Sequence, residues 1–196
     1  VQTVHAVADP IGPGDVPEAW QADSSIVLLG PLVNEVAPAV AAMFPDTLLG
    51  IVPQGWMRQW NEQGLVSHVP MDCASEVLAH ADVLMLSVED VDDDLSLAEC
   101  YHDMVDIMVL TRSDYGCDVY QSGKIVPVPP RPAKEVDPTG AGDVFSTAFL
   151  IRLWETGDPM VSARFANVMA SFSIEGLAYH AIPTREEVET WLAQND

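Results

Sequence analysis

Four uninterrupted apolar runs of strand length, residues 25–30, 47–52, 82–87 and 106–111, constrain the fold most. A strand with one wet face alternates apolar and polar residues, whereas one covered on both faces is apolar throughout, as in a parallel sheet. Helical spacing over 35–44, 75–80 and 95–104 separates these runs. Strand, helix, strand repeated in this way implies right-handed parallel crossovers and an α/β fold. An alternating stretch at 3–8 reads as an edge strand ending in the turn cluster 9–14, and Pro17 opens a short helix. With 196 residues, 48% of them hydrophobic, the chain is long enough for one good core and reads as a single domain, 1–196.

The last third changes character. Two β-like runs, 117–121 and 124–128, flank Ser122-Gly123, a two-residue hairpin signal. Pro127, Pro129, Pro130 and Pro132 then hold an extended connector that leads to Asp137-Pro138-Thr139-Gly140-Ala141-Gly142-Asp143. That string runs straight into a helical stretch reaching about Glu155 and stopped by Gly157. Two glycines around an alanine let the backbone turn with its N–H groups facing one way, and the helix start adds unpaired donors and a positive dipole end. Such a turn cradles an anion. Asp143, in the first helical turn, repels phosphate as a direct ligand but suits the task of taking a proton from an attacking hydroxyl. A second helix starts at Asp158-Pro159 with Val161, Phe165, Val168, Met169 and Phe172 on its apolar face, and Asn167 among them needs a polar partner. Thr184 and Glu187 stand at capping-box spacing before the last helix.

Charge narrows the partners. Thirty acids against eight bases give a formal charge of -22, and Arg58 is the only base among the first 111 residues. A surface of this sign repels polyanions, which excludes nucleic acid as a partner. No apolar run reaches membrane-spanning length, so the chain is expected to be cytoplasmic and off the membrane. Cys73, Cys100 and Cys117 are odd in number and lack metal spacing. Asp90, Asp92, Asp93 and Asp94 read as a solvated loop, lacking the glycine and distal glutamate of a calcium loop.

The string D-P-T-G-A-G-D resembles the C-terminal signature of the ribokinase or PfkB-type carbohydrate kinases, D-T-x-G-A-G-D, with Pro138 in place of the usual threonine. Three further stretches resemble the same family. Residues 53–60, with Gln54, Trp56, Arg58 and Trp60, match a strand-end loop in which Arg58 is a substrate or phosphate contact. Ser87-Val88-Glu89-Asp90 stands where the family shows N-x-x-E, which organises water around magnesium, so Asp90 is implied as a metal-side residue. Thr111 to Gly116 is similar to T-x-G-x-x-G, with Ser113 replacing the first glycine, a change expected to disfavour positive φ there.

The resemblance implies a ribokinase-like three-layer α/β/α sandwich with a mostly parallel central sheet, lacking the usual N-terminal lid region. The chain opens at Val1 in what looks like the middle of a domain, so an incomplete N-terminus is expected. It further implies phosphorylation of a hydroxyl on a sugar or polyol by ATP. Asp143 is then the general base and a substrate contact, and Gly140, Ala141 and Gly142 form the anion hole. Thr111, Arg112, Gly116, Thr139 and Asn167 are implied nucleotide contacts, and Asp137 a ligand for a monovalent cation such as K+ beside the Mg2+ that ATP carries. A homodimer is compatible with this reading. The alternative is a nucleotide or sugar-phosphate binding protein of the same fold with impaired catalysis.

Overall fold

The computed structural model describes residues 2–92 and 94–195 of the chain, so Asp93 of the acidic loop lies outside the described residues. Where the sequence reads as one domain, the chain divides into two compact units, Val1–Leu110 and Thr111–Asp196.

In the first unit, α1 (Glu18–Asp23) precedes β1 (Ile26–Leu29), β2 (Leu48–Ile51), a small hairpin of β3 (Arg58–Trp60) and β4 (Val66–His68), and α2 (Ala74–Leu78). Then come β5 (Val83–Ser87), α3 (Leu95–His102) and β6 (Ile107–Thr111), at whose last residue the second unit begins. The strands lie in the order β1-β2-β5-β6, and the β1–β2 and β2–β5 pairs are parallel. All four expected apolar runs are strands. Their centres are dry: Leu49, Ile51, Val83, Leu84, Met108, Val109 and Leu110 are fully buried. Burying each such side chain contributes about 1.5–3 kcal/mol. Asp82 stitches two of the strands, its carboxylate accepting the Leu49 N–H at 2.8 Å.

Two expectations for this unit differ, and one short element has no counterpart among them. The stretch 35–44 holds only a six-residue 3-10 helix, Pro38–Met43. Pro38 forces Ala37 into extended backbone, and Phe44, ahead of Pro45, leaves helical geometry, so the ten-residue helix is cut to the six residues between them. Residues 3–8 make no strand; Thr3 bridges Leu65 alone, and Val7 is exposed, leaving no apolar face to bury. The β3–β4 hairpin, three residues a side, is too short for its periodicity to be read from sequence.

In the second unit β7 (Cys117–Gln121) and β8 (Lys124–Val128) pair antiparallel across Ser122 and Gly123, both at positive φ, as the two-residue turn requires. Three helices follow: α4 (Ala141–Thr156), α5 (Pro159–Ser173) and α6 (Arg185–Asn195). Gly157 ends α4 in left-handed conformation. Asp158 caps α5, its carboxylate accepting the N–H groups of Met160 at 2.8 Å and Val161 at 3.2 Å. Asp158→Ala is expected to cost about 1 kcal/mol, read as a lower thermal unfolding midpoint. Thr184 and Glu187 form the expected reciprocal cap of α6. Of the proposed apolar face of α5, Phe165 and Val168 are buried but Val161 is exposed, lying at the open first turn.

Among the described residues no helix is long and apolar enough to cross a membrane.

Candidate active site

The loop expected to cradle an anion sits at the start of α4, the 16-residue helix of the second unit. Pro138 contributes its carbonyl, which accepts the Ala141 N–H at 3.1 Å and closes a turn. Gly140 takes φ 81° and ψ 2°, the geometry of the third position in a type II turn. Proline in the signature therefore loses nothing the turn uses, because its carbonyl and not its N–H is engaged. Val144 N–H returns to the Gly140 carbonyl at 3.0 Å. Ala141 is thereby removed from the expected set of anion donors: its N–H is spent inside the turn. Among the described residues no acceptor is paired with the N–H groups of Gly140, Gly142 or Asp143. A Cβ built on Gly140 or Gly142 meets nothing within 4 Å, so the side-chain side of both residues is open.

Asp143 is exposed at this helix start and lines a cavity of about 430 Å³. The walls come from α4 (Val144, Thr147, Ile151), α5 (Phe165, Met169), Ile182 ahead of α6 and Arg185 at its start. Asp143, Thr147 and Ile151 follow at i, i+4 and i+8, one face of a helix, a signal present in the sequence that the motif-centred reading passed over. Arg185 faces the cavity but is already bidentate with Glu155, at 2.6 and 2.9 Å.

Asp137, the expected ligand for a monovalent cation, has each carboxylate oxygen accepting a main-chain N–H, from Ala178 and from Thr139, both at 3.0 Å. These bonds hold its carboxyl below the usual carboxylate range. Asp137 is thus written into the loop's own hydrogen bonding, with Thr139 as one of its partners.

The loop 111–116 also departs from expectation. Ser113 adopts positive φ, 46°, in spite of its side chain, and Gly116 sits at φ 80° and ψ -127°. Arg112 N–H donates to the Gly116 carbonyl at 2.7 Å, closing the loop that starts at Thr111. The half-exposed Arg112 guanidinium pairs with the mostly buried Asp118 at 2.8 Å. Left-handed conformation costs a non-glycine residue about 1–2 kcal/mol, so Ser113→Gly is expected to raise stability by about 1 kcal/mol in denaturant titration.

Asn167 has the partner its apolar surroundings demand, and that partner is the chain itself. Its Nδ2 donates to the carbonyls of Val128 at 2.9 Å and Pro129 at 3.3 Å, so the donor offered to a nucleotide is used in holding the end of β8. Beside it, burial pushes the Cys117 thiol up to about 12, which leaves it inert as a nucleophile.

The first unit gathers Gln54, Arg58 and Asp90. Asp90 is buried at a 3-10 turn, where its carboxylate accepts the N–H and hydroxyl of Ser87 at 2.8 Å each and the Gln54 amide at 3.4 Å. Arg58 is buried too, donating from Nη1 to the Leu32 carbonyl at 3.2 Å while its Nε has no partner. Burial lowers its proton affinity, and the charge of Asp90 works against that. Among the described residues no three His, Cys, Asp or Glu side chains cluster as a metal cage.

Comparison with known proteins bears on the whole arrangement. A match to the pfkB family of carbohydrate kinases covers residues 63–185, which includes the anion loop, Asp143 and the loop 111–116. Ribokinase of Bacillus subtilis is 39% identical over 87 residues, 44% of this chain and 30% of that protein. An inositol 3-kinase of Arabidopsis thaliana is 37% identical over 68 residues, 35% of this chain and 19% of that protein. Among solved structures, ribokinase of Thermotoga maritima superposes with a TM-score of 0.67 at 25% identity, covering 86% of this chain and 57% of that one. Each match therefore spans less than two thirds of the relative's length. The fold is ribokinase-like, a mostly parallel α/β sheet flanked by helices, and the chain belongs to the pfkB family of carbohydrate kinases.

Proposed function

We propose that the chain carries the phosphoryl-transfer end of a kinase that moves phosphate from ATP to a hydroxyl of a sugar or polyol. One observation supports this most: the Asp143 carboxylate adjoins the unpaired N–H groups of Gly140, Gly142 and Asp143 itself, at a helix start open to a cavity. In this reading Asp143 accepts the proton as the alcohol oxygen attacks the γ-phosphorus, and the amides steady charge on the transferring group. Oxyanion-hole donors are worth about 2.7–4 kcal/mol each, so three amides are a large share of such a catalyst.

Thr111, Arg112 and Gly116 are proposed for the nucleotide, with the helix dipole offsetting the acidic surface locally. Arg58 is proposed on the acceptor side, its partnerless Nε being a donor in want of an oxygen. Magnesium fits as an ion carried mainly by substrate phosphates and water, because the described residues offer no cage and Asp90 keeps its oxygens for Ser87 and Gln54. That same engagement of Asp90 favours, as a second reading, a protein that binds nucleotide without turning it over.

The test is release of ADP from ATP and magnesium in the presence of ribose, fructose, myo-inositol or nucleosides, paired with calorimetry of ATP binding. Acceptor-dependent ADP supports the kinase. Binding heat without ADP supports the second reading, and absence of both overturns each.

A further inference from the structure

We infer that α5 is a splint for the connector that carries the anion loop, and that Arg131 and Glu175 are positioning residues for phosphoryl transfer. The inference rests on the reading of Gly140–Asp143 as the anion site and extends it to residues far outside the signature.

The connector, residues 129–139, has little means of holding itself in place. Pro129, Pro130, Pro132 and Pro138 lack N–H groups, and among the described residues no strand pairs with it after Val128. Its position is instead set by a series of contacts along α5 and the turn after it. Asn167 holds the Val128 and Pro129 carbonyls. One turn on, Arg131 Nη1 donates to the Ser171 carbonyl at 3.4 Å and the guanidinium lies 3.8 Å over the Phe172 ring. Glu175 takes both Arg131 Nη2 at 3.0 Å and the Lys134 N–H at 3.1 Å. Val136 and Asp137 N–H groups then share the Ile174 carbonyl at 2.8 and 3.1 Å, and the Asp137 carboxylate receives Ala178 N–H. The next residues are the anion loop itself.

The end of α5 is suited to this work for a general reason. The last carbonyls of a helix lack intrahelical donors and carry the negative end of the dipole, so they attract a cation such as Arg131 and N–H groups from a passing strand. The Arg131–Glu175 pair is mostly shielded from water, with side chains 14% and 31% exposed, and the stacking on Phe172 fixes the plane of the guanidinium. Gly116 of loop 111–116 packs against the start of the connector at Val128, Pro129 and Pro130, whereas from Arg131 to Val136 its hydrogen bonds run to Ser171, Ile174 and Glu175. Losing the Arg131–Glu175 contact frees the connector between Pro129, held by Asn167, and Val136, held by Ile174, to move, and a displacement of about 1 Å at a reacting group costs up to about 100-fold in rate.

The experiment uses the full chain with Arg131→Gln, Glu175→Gln and the double variant. Hydrogen exchange, calorimetry with inorganic pyrophosphate and steady-state kinetics are read on each. Expected are amide exchange over 134–142 faster by about tenfold or more, with β7, β8 and the interior of α4 unchanged. Pyrophosphate affinity and kcat are expected to fall by about tenfold, with acceptor KM held, and the double variant to be no worse than either single one. Unchanged exchange over 134–142 overturns the splint, and so does faster exchange with pyrophosphate affinity retained. An unaltered chain that phosphorylates no alcohol overturns the proposed function instead, and the exchange and pyrophosphate arms then decide the splint on their own.

Discussion

Asp143→Asn protein is expected to phosphorylate its acceptor about 10²- to 10⁴-fold more slowly than the unaltered chain, the range spanned by loss of a general base. The amide is nearly isosteric with the carboxylate and still accepts a hydrogen bond, but it cannot take a proton at neutral pH. The side chain is exposed and, among the described residues, has no hydrogen-bond or ion-pair partner, so the thermal midpoint should stay put. Anion affinity should move the other way. Removing one negative charge beside the Gly140 and Gly142 amides relieves repulsion, so inorganic pyrophosphate should bind as well or better. A collapsed kcat with preserved anion binding is the signature of a base. Equal phosphorylation rates for the two proteins would remove Asp143 from that role.

Gly116→Ala is expected to be the most damaging single methyl group in the second unit. A Cβ there would lie 2.2 Å from the Val128 carbonyl oxygen and 2.9 Å from the Pro130 nitrogen, both main-chain atoms with no flexible end to yield. The backbone, at φ 80° and ψ -127°, is also in a region reserved for glycine. Strain of about 1–3 kcal/mol from each source sums to about 4 kcal/mol, a large part of the stability of a small domain. Urea titration should show the midpoint drop, or the protein should fail to accumulate in folded form. A change below about 1 kcal/mol would mean that loop 111–116 relaxes at little cost.

The two sites show where legibility ends. Asp158, Thr184 and Gly157 were readable because a cap and the amides it satisfies lie within four residues of each other. The 35–44 helix failed for an equally local reason, Pro38 and Pro45, whose effect on the preceding residue outweighs apolar spacing. Ser113 failed differently: intrinsic preference disfavours its positive φ, yet the Gly116 carbonyl accepting Arg112 N–H closes the loop around it.

The chain's linear order of residues is enough to set the parallel strands, the hairpin turn and the tight turn at Gly140, because each is written in neighbours whose pattern is periodic or whose backbone is restricted. Only the folded unit could assign Asn167 to the end of β8, Asp137 to Ala178 and Arg131 to Glu175, since these partners stand 39, 41 and 44 positions apart. A buried amide or carboxylate announces that it needs a partner, but which of many distant groups supplies it depends on how the helices pack.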